Sequence, residues 1–359
     1  MIKPNSEVEL SDVIRNAKTP LCIQGGGTRG LSSVGDVLET TGLSGISLYD
    51  PGALTLVAGA GTPLSEVEAM LAKEGQRLAF EPRRLNALLG RSGETTLGGI
   101  VATNSAGPAR IALGSCADHL LGVRFVNGAG EIVKNGGRVM KNVTGYDLVK
   151  LMAGSHGTLG VLSEVSLKVL PQPETEATLA ISNQTVTQAQ MMMSRALGSP
   201  FEVTGAVHIP GGDTLLRIEG FENSVTYRAG KLAELTGVEI ASRGDESRAT
   251  WADLRDLGMF ANGAENLWRL RLKPTDAPDA LARLQAGKVL MDMAGGEIWL
   301  EYPEADLRDR LKGLTCDAQL IRGTGAERFQ SQSAALAKLQ SGLRAQFDPR
   351  RILNAGLMG

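Results

Sequence analysis

The pattern of hydrophobic and polar positions changes near Pro171-Gln172-Pro173 and divides the chain into two parts. In the first part, short β-type apolar runs such as LCIQ, TLVAGAG and LGVLSEVSLKVL alternate with glycine-rich loops. A helical pattern lies among these runs at Leu64–Lys73, with its apolar positions on one face. We therefore expect the first part to be rich in strands, with an amphipathic helix between two of them.

The second part is a regular succession of strand-like and helix-like segments. TLAIS precedes VTQAQMMMSRALGS, and NLWRLRLK precedes APDALARLQ. This alternation predicts an α+β domain in which an antiparallel sheet is covered by helices. The last helical pattern covers Glu327–Gln346, and the final ILNAGLMG has loop character. We predict domains over residues 1–173 and 174–345, followed by a tail over 346–359.

Composition and charge narrow the functional classes. The net charge of −2 over 359 residues gives the chain no general attraction for nucleic acid or anionic lipid. No window of about 18 uninterrupted apolar residues is present, so we expect no membrane span. The three cysteines Cys22, Cys116 and Cys316 are far apart, which argues against a disulfide framework. The N-terminal segment has no apolar region typical of a secretory signal, so a cytoplasmic location is expected.

The segment Ile23–Leu31, IQGGGTRGL, has the G-x-G-x-x-G spacing of a dinucleotide-binding turn. A nicotinamide-binding Rossmann unit would also need a helix that opens at Gly30 and an acidic residue about 20 positions later. Asp50 satisfies the second condition. The intervening LSSVGDVLETTGLSG does not satisfy the first, because serine, threonine and glycine are poor helix formers. An NAD-dependent Rossmann enzyme is therefore a remote alternative.

Two further glycine clusters follow at Gly93–Pro108 and Gly154–Val161. A single cluster of this kind is best interpreted as a tight turn in a β-rich domain. Three clusters with small polar residues instead favour loops that approach one long, negatively charged ligand. Glycine lets the main chain come within hydrogen-bond distance of a diphosphate, and consecutive N–H groups bind an anion without side-chain charge.

The ordered set GGGTRG, TTLGGIVATNSAGP and GGRVMKNVTGYDLVKLMAGSHGTLGVLSEVSLKVLPQP resembles the FAD-binding domain of the vanillyl-alcohol oxidase and p-cresol methylhydroxylase (PCMH) superfamily. Within it, the chain is similar to the glycolate oxidase and D-lactate dehydrogenase branch, and most similar to the E-subunit family of bacterial glycolate oxidase. The likeness covers residues 18–175, with weaker matches at Leu267–Leu270 and FDPRRILNAG; Lys141–Asp147 is its most specific motif. The resemblance implies a two-part PCMH-type FAD-binding domain, an α+β cap domain and a C-terminal tail that returns toward the FAD domain.

The resemblance also implies which residues contact FAD. The first glycine loop would surround the diphosphate, the second would contact the diphosphate and the flavin edge, and the third would meet the adenosine end. The implied contact residues are, in chain order, Gly25, Gly26, Gly27, Thr28, Arg29, Gly30, Gly98, Gly99, Thr103, Asn104, Ser105, Gly157, Gly160 and Val161. Tyr146 and Asp147 are expected to brace a strand–helix junction.

FAD is expected to bind without a covalent bond. Relatives that tether the flavin use a histidine or a cysteine beside it, and the first glycine loop contains neither. Cys116 and His119 stand three residues apart in GSCADH and offer an alternative tether. We prefer the interpretation that they are a buried cysteine and a hydrogen-bonded histidine.

Oxidation of a small 2-hydroxy acid at a flavin needs a cation for the carboxylate and a base for the hydroxyl proton. In LWRLRLKP, strand alternation places Arg269 and Arg271 on one face. The preferred interpretation is a solvated face whose arginines pair with nearby acids. The alternative is a carboxylate-binding wall over the flavin, or a docking surface for a partner protein. His208 is the only histidine beyond residue 160, so we expect no metal site in the cap.

For function, the resemblance implies the FAD-binding subunit of a glycolate (2-hydroxy acid) oxidase complex. Its implied partners are a larger FAD-containing subunit and an iron–sulfur subunit, and such a complex could hold the chain at the periphery of the inner membrane. The chain itself lacks cysteine clusters for iron–sulfur ligation, so electrons would leave to another subunit. Two alternatives stay open: a stand-alone FAD-dependent 2-hydroxy-acid dehydrogenase that uses Arg269 or Arg271, and a non-catalytic scaffold that keeps the flavin fold.

Overall fold

The structure is a computed structural model that describes residues 1–31, 33–138 and 145–358. Contacts within the chain group these residues into two compact units. The first unit comprises Met1–Ala106, Gly114–Gln172 and Ser331–Gly359, and the second comprises Gly107–Leu113 and Pro173–Gln330.

The helices and strands follow in chain order. The α-helices are α1 (Glu7–Asn16), α2 (Leu64–Ala72), α3 (Asn86–Leu89), α4 (Leu97–Ala102), α5 (Arg110–Leu113), α6 (Cys116–His119), α7 (Leu148–Met152), α8 (Val186–Leu197), α9 (Glu222–Thr236), α10 (Gly244–Asp256), α11 (Ala277–Leu284) and α12 (Ala334–Phe347). Short 3₁₀ turns occupy Thr40–Gly42, Gly258–Phe260, Pro274–Asp276, Met293–Gly295 and Arg308–Leu311. The strands are β1 (Leu21–Gln24), β2 (Asp36–Glu39), β3 (Ile46–Asp50), β4 (Thr55–Gly59), β5 (Gln76–Arg77), β6 (Leu120–Val126), β7 (Ile132–Gly136), β8 (Val161–Lys168), β9 (Leu170–Pro171), β10 (Thr175–Ser182), β11 (Val203–His208), β12 (Asp213–Gly220), β13 (Glu239–Arg243), β14 (Asn266–Leu272), β15 (Val289–Asp292), β16 (Glu297–Tyr302) and β17 (Cys316–Arg322).

The main sheet of the first unit has five strands in the order β3-β4-β8-β6-β7, and each neighbouring pair is antiparallel. Its apolar face packs against α2 and α4, and Phe125 and Val165 are fully buried there. The predicted amphipathic helix is present as α2, whose Val67 and Leu71 are both 0% exposed. The period of the apolar positions thus predicted both its type and its buried face.

A separate parallel pair, β1 and β2, carries the first glycine loop at the end of β1. The register joins Leu21 to Asp36 and Gln24 to Glu39. Between Gly25 and Gly35 the described residues form no helix, so the chain passes from strand to strand without the crossover helix of a Rossmann unit. This agrees with the poor helix propensity of that segment.

The second unit contains an antiparallel sheet of eight strands in the order β13-β10-β12-β11-β15-β16-β14-β17. One face packs against α8, α9 and α11, where Trp268, Leu270 and Ile298 are fully buried. The predicted α+β fold with a helix-covered antiparallel sheet is therefore confirmed. The alternation in β14 also holds, because Trp268 and Leu270 point into this core.

The contact-based units differ from the predicted domain bounds at the C-terminal side. The second unit ends at Gln330 rather than at residue 345, and α12 belongs to the first unit. The predicted helix start at Glu327 is also too early, because Leu320 donates its N–H to the carbonyl of Arg328 (2.9 Å) and holds that segment beside β17. Ser333 then caps α12 by accepting a hydrogen bond from the N–H of Leu336.

The Lys141–Asp147 element is described only from Gly145 onward, and residues 141–144 lie outside the described part of the chain. Asp147 caps α7 by accepting a hydrogen bond from the N–H of Lys150 (3.2 Å). The carbonyl of Tyr146 accepts one from the side chain of Asn135 on β7 (3.1 Å). These two contacts tie the start of α7 to the neighbouring strand.

The C-terminal tail is bound tightly to the first unit. Asp348 is fully buried and accepts hydrogen bonds from the N–H groups of Ile352 (3.1 Å) and Leu353 (2.8 Å). The Arg344 guanidinium donates to the carbonyls of Leu353 (2.9 Å) and Leu357 (3.0 Å). A carboxylate and a guanidinium thus fold the tail into one defined turn.

We expect the substitution Asp348→Ala to lower the free energy of unfolding of the chain by about 2–4 kcal/mol, because two buried N–H groups lose their acceptor. Urea unfolding monitored by circular dichroism measures the change. The control is Asp309→Ala, since that side chain is 85% exposed and its loss should cost no more than about 0.5 kcal/mol. Equal stability of the two variants would show that the tail is not anchored in this way.

Candidate cofactor-binding site

The first unit contains an open cleft of about 740 Å³, solvent at its mouth included. All three glycine clusters of the sequence reach it. The cleft is lined by Ile23, Gln24, Gly25, Gly26, Gly27, Thr28, Arg29, Leu31, Thr40, Thr96, Gly98, Gly99, Ala102, Thr103, Ser155, His156, Gly157, Gly160, Val161, Leu162 and Asn354.

The first glycine loop offers unpaired main-chain donors to the cleft. Within the described residues, the N–H groups of Gly26, Gly27 and Thr28 donate to no acceptor. Gly27 has a φ of +71°, in the left-handed region that favours glycine. Three consecutive amides in such a turn form a concave donor set that suits an anion.

Position 26 requires glycine because two loops pack tightly against each other there. A Cβ atom at Gly26 would lie 1.7 Å from the carbonyl oxygen of Glu94, so only glycine lets the first loop pack against the start of the second. In the same contact, a Cβ at Gly93 would lie 1.8 Å from the carbonyl oxygen of Gly26. Gly26 and Gly93 therefore allow the first and second glycine loops to pack against each other through protein contacts alone.

The second glycine loop contributes lining surface to the cleft, because the N–H groups of its two glycines already donate to acceptors within the protein. The N–H of Gly98 donates to the carbonyl of Ala60 (2.7 Å), and the N–H of Gly99 donates to the hydroxyl of Thr96 (3.3 Å). The hydroxyl of Thr103 donates back to the carbonyl of Gly99 (2.7 Å). Both glycines line the cleft, and without a side chain they let a flat ring or a diphosphate approach the main chain closely.

The third loop brings a buried hydroxyl to the cleft. Ser155 is 7% exposed, and its Oγ has no hydrogen-bond partner among the described residues. A buried polar atom without a partner costs free energy unless a ligand or water satisfies it. Gly157, with a φ of +71°, turns the main chain directly beyond it. Ser155 therefore provides a buried hydroxyl beside the cleft whose hydrogen bond a ligand or a water would complete.

Asn354 in the C-terminal tail joins these segments. Its Oδ1 accepts hydrogen bonds from the N–H of Ile23 (2.8 Å) and the hydroxyl of Ser33 (3.0 Å). Its Nδ2 donates to the carbonyl of His156 (2.8 Å), and its own N–H donates to the carbonyl of Leu21 (2.9 Å). The side chain is buried, and the φ of +45° is one that asparagine tolerates better than most residues. One amide thus links the first loop, the third loop and the tail.

Eleven of the residues that the sequence predicted as cofactor contacts line this cleft together. They are Gly25, Gly26, Gly27, Thr28, Arg29, Gly98, Gly99, Thr103, Gly157, Gly160 and Val161. Three others lie outside the lining: Gly30, Asn104 and Ser105. Asn104 accepts a hydrogen bond from the N–H of Ala117 (2.9 Å), and Ser105 accepts one from the N–H of Arg83 (3.1 Å), so both side chains support neighbouring loops. Direct cofactor contact by any of these residues stays a prediction.

Sequence reasoning missed several lining residues, and Ser155 and Asn354 are the most consequential. Ser155 stood inside a recognised glycine cluster, where a small hydroxyl residue was available as a signal. Asn354 stood in FDPRRILNAG, which the sequence comparison treated only as a weak match. Nothing local in the tail indicates that it contacts residues more than 300 positions earlier.

The charge and polarity of the cleft suit an elongated anion with an apolar end. Arg29 supplies a guanidinium at the first loop and donates to the carbonyl of Arg83 (3.0 Å). Ile23, Leu31 and Leu162 add apolar surface. A cation beside free amide donors stabilises a diphosphate, and the apolar wall accommodates a ring system. The residues present therefore fit a flavin dinucleotide.

Cys116 and His119 are not among the described residues that line the cleft. Cys116 is fully buried, and burial raises the pKa of its thiol to about 12. The ring of His119 packs against Phe80 with centroids 5.4 Å apart. The structure supports the interpretation of a core cysteine and a packed histidine.

Arg269 and Arg271, the predicted carboxylate-binding residues, lie in the second unit on β14. The Arg269 guanidinium donates to the side chain of Gln319 and lies 5.7 Å from the ring centroid of Trp299. Arg271 forms an ion pair with the buried Glu297 (3.4 Å). Arg271 pairs with an acid as expected, but the face is not solvated, because Trp299, Glu297 and Gln319 beside the two arginines are buried. A role of the arginines in substrate binding stays a prediction.

The described residues show no group of three or more His, Cys, Asp or Glu side chains that could hold a metal ion. In that same part of the chain, none of the helices combines the length and the apolar character that a bilayer crossing requires.

Comparisons with known proteins agree with this geometry. Residues 1–136 match a family model described as an FAD binding domain. The chain is 36% identical over 347 residues to glycolate oxidase subunit GlcE of Escherichia coli (strain K12), a match that covers 95% of this chain and 93% of that protein. It is 28% identical over 221 residues to glycolate oxidase subunit GlcD of Bacillus subtilis (strain 168), and here it covers 43% of the relative.

More distant similarity extends to other proteins. The chain is 31% identical over 199 residues to a D-lactate dehydrogenase of Archaeoglobus fulgidus, covering 53% of this chain and 42% of that enzyme. Among solved structures, alkyldihydroxyacetonephosphate synthase matches 99% of this chain and 76% of its own chain with a TM-score of 0.72 at 15% identity. At that identity the structural match establishes the fold alone.

We expect Ser155→Ala to weaken FAD binding by about three- to tenfold, because one hydrogen bond to the ligand is lost. The stability of the cofactor-free chain should not fall, since the hydroxyl has no partner among the described residues. The matched variant Ser105→Ala should keep the FAD affinity and lower the free energy of unfolding by about 1 kcal/mol, because the Arg83 N–H loses its acceptor. Flavin-fluorescence titration and urea unfolding measure the two effects. Unchanged FAD affinity in Ser155→Ala would contradict the assigned role.

Proposed function

We propose, because this chain belongs to the FAD-binding family of glycolate oxidase subunit GlcE, that it is the FAD-binding subunit of an enzyme complex that oxidises glycolate or a related 2-hydroxy acid. The observation that carries the proposal is the cleft of the first unit. Unpaired amides, the Arg29 guanidinium and an apolar wall meet there at the positions that the family likeness implies for FAD. The likeness to GlcE over 95% of the chain supports the same assignment.

Within the cleft, the residues of this chain hold and orient the cofactor. The N–H groups of Gly26, Gly27 and Thr28, with Arg29, would bind the diphosphate, and Ser155 in the third loop would donate a hydrogen bond toward the adenosine end. FAD, when bound, would supply the acceptor for the hydride, and so for the two electrons, that a 2-hydroxy acid loses when its hydroxyl proton is removed. We propose that it binds non-covalently. The first glycine loop has no histidine or cysteine, neither Cys116 nor His119 lines the described cleft, and we interpret His156, which does line it, as a residue of loop packing.

We propose that this chain relays electrons while the oxidation of the hydroxy acid takes place mainly in a larger flavoprotein subunit. The two arginines that could hold a substrate carboxylate are engaged with Gln319 and Glu297. The proposed partners are that larger FAD-containing subunit, related to GlcD, and an iron–sulfur subunit. Cys22 and Cys116 are buried and distant in sequence, so an iron–sulfur cluster belongs to a partner. We place the complex in the cytoplasm, at the periphery of the inner membrane.

The test is the purified chain under anaerobic conditions, first alone and then mixed with the larger flavoprotein subunit. We expect the chain to carry FAD, to release it on acid precipitation, and to keep its flavin absorbance when glycolate is added. The flavin should be reduced by glycolate only in the presence of the partner.

Each other outcome selects an alternative. Rapid loss of flavin absorbance in the chain alone would assign the chemistry to this chain as a stand-alone 2-hydroxy-acid dehydrogenase. Flavin that stays with the acid-precipitated polypeptide would overturn the non-covalent assignment. If the purified chain is colourless and does not bind added FAD, the non-catalytic scaffold is the function that remains.

A further inference from the structure

The surface of α12 presents an apolar face that is exposed in the part of the chain that the structure describes. Residues 331–343 are all exposed, and Leu336, Leu339 and Leu343 are 49%, 65% and 41% exposed. Their spacing of three and four residues places them on one side of the helix. We call these three residues the α12 stripe.

The strongest contacts of the helix within the described residues lie near its C-terminal end. Arg344 is buried and binds the carbonyls of the tail, and the ring of Phe347 packs against Phe125 with centroids 6.1 Å apart. Before Arg344, the hydroxyl of Ser341 accepts one hydrogen bond from the Arg351 guanidinium (3.2 Å), and the rest of residues 331–343 stays exposed. A helix of this length is only marginally stable in water without tertiary packing. An exposed apolar stripe on such a helix is typical of a surface that a partner covers.

A cavity of about 280 Å³ lies beside the stripe. It is lined by the helix residues Ala337 and Leu343 and, across from them, by Leu151, Leu159 and Met358. A hole of this size and polarity next to an exposed apolar face can take one large side chain of a partner. Central anchors of this kind carry much of the binding energy of protein interfaces.

The cavity shares a wall with the FAD cleft. Ser155 lines both, so the third glycine loop separates the two spaces. A partner seated in the cavity would therefore press on the loop that carries the unpaired hydroxyl. The docking surface and the cofactor cleft are therefore neighbours across this one segment.

The charge of the residues around the stripe and the cavity indicates which kind of partner fits there. From Arg328 through Phe347 the sequence has no acidic residue, whereas Lys338 lies on the exposed helix and Arg351 lines the cavity. A second copy of this chain docked on the same face would bring like charges together. A partner surface with one protruding apolar side chain and flanking carboxylates would be complementary to the α12 stripe and its basic neighbours.

We propose that the α12 stripe and the adjoining cavity form the docking site for the larger flavoprotein subunit, which inserts an apolar side chain and places carboxylates near Lys338 and Arg351. This inference rests on the proposed function, because it takes that subunit as the partner. The site lies on the first unit and contacts the loop that walls the FAD cleft.

The experiment compares two charge insertions at matched exposed positions of the full chain. Leu339→Glu places a carboxylate in the stripe, and Met191→Glu, at a 64% exposed position on α8, is the control. A third variant, Ala337→Trp, fills the cavity from the helix side. Each chain is co-purified with the larger flavoprotein subunit, and its affinity is measured by interaction with the immobilised partner.

We expect Leu339→Glu and Ala337→Trp to weaken association by at least about tenfold, since a charge or a bulky ring takes the place of the anchor. Met191→Glu should associate as wild type does, and all three should retain FAD. Loss of association in Met191→Glu but not in Leu339→Glu would overturn the docking site alone. A wild-type dimer that Leu339→Glu converts to monomer would identify a second copy as the occupant and also overturn it. Failure of the wild-type chain to associate would overturn the proposed partner and the docking site together.

Discussion

The side-chain amide of Asn354 is the interaction on which the cofactor site depends. It satisfies the N–H of Ile23 and the carbonyl of His156 at the same time, with distances of 2.8 Å to each. These groups belong to the first and third glycine loops, and both would be left without their partner if the amide were absent. A buried polar group without a partner is costly, so this amide fixes the separation of the two loops. Asp348 and Arg344 in turn fix the tail that presents it.

This arrangement separates two roles of glycine that a sequence motif combines. At Gly26 and Gly98, glycine allows the protein to pack against its own main chain, since an added Cβ would lie 1.7 Å from Glu94 and 2.9 Å from Ala60. At Gly27 it allows a left-handed turn that exposes amide donors. The proposed anion site therefore draws its amide donors mainly from the first loop. The second loop shapes the cleft with Cα atoms whose amides are already engaged.

Much of the fold could be predicted from the sequence, because the responsible signals are local. The helix-period apolar positions of α2 and the strand alternation of β14 each predicted an element and its buried face. The poor helix propensity after Gly30 correctly argued against a Rossmann crossover. The start of α12 could not be placed, because residues near Arg328 are held by a strand rather than by their own helix propensity. Asn354 was missed for the same reason: its partners lie more than 300 residues away, and only the folded tail brings them together.

The affinity of the chain for FAD in the Asn354→Asp variant is the most direct test of this account. The substitution keeps the size of the side chain and removes only the donor to the His156 carbonyl, while it sets a negative charge against that oxygen. Asn16→Asp, on the exposed surface of α1, provides the matched control. We predict that equilibrium titration with FAD will show at least about tenfold weaker binding for Asn354→Asp and an unchanged value for Asn16→Asp. Equal affinity of Asn354→Asp and the wild-type chain would contradict the claim that this amide holds the cofactor loops in place.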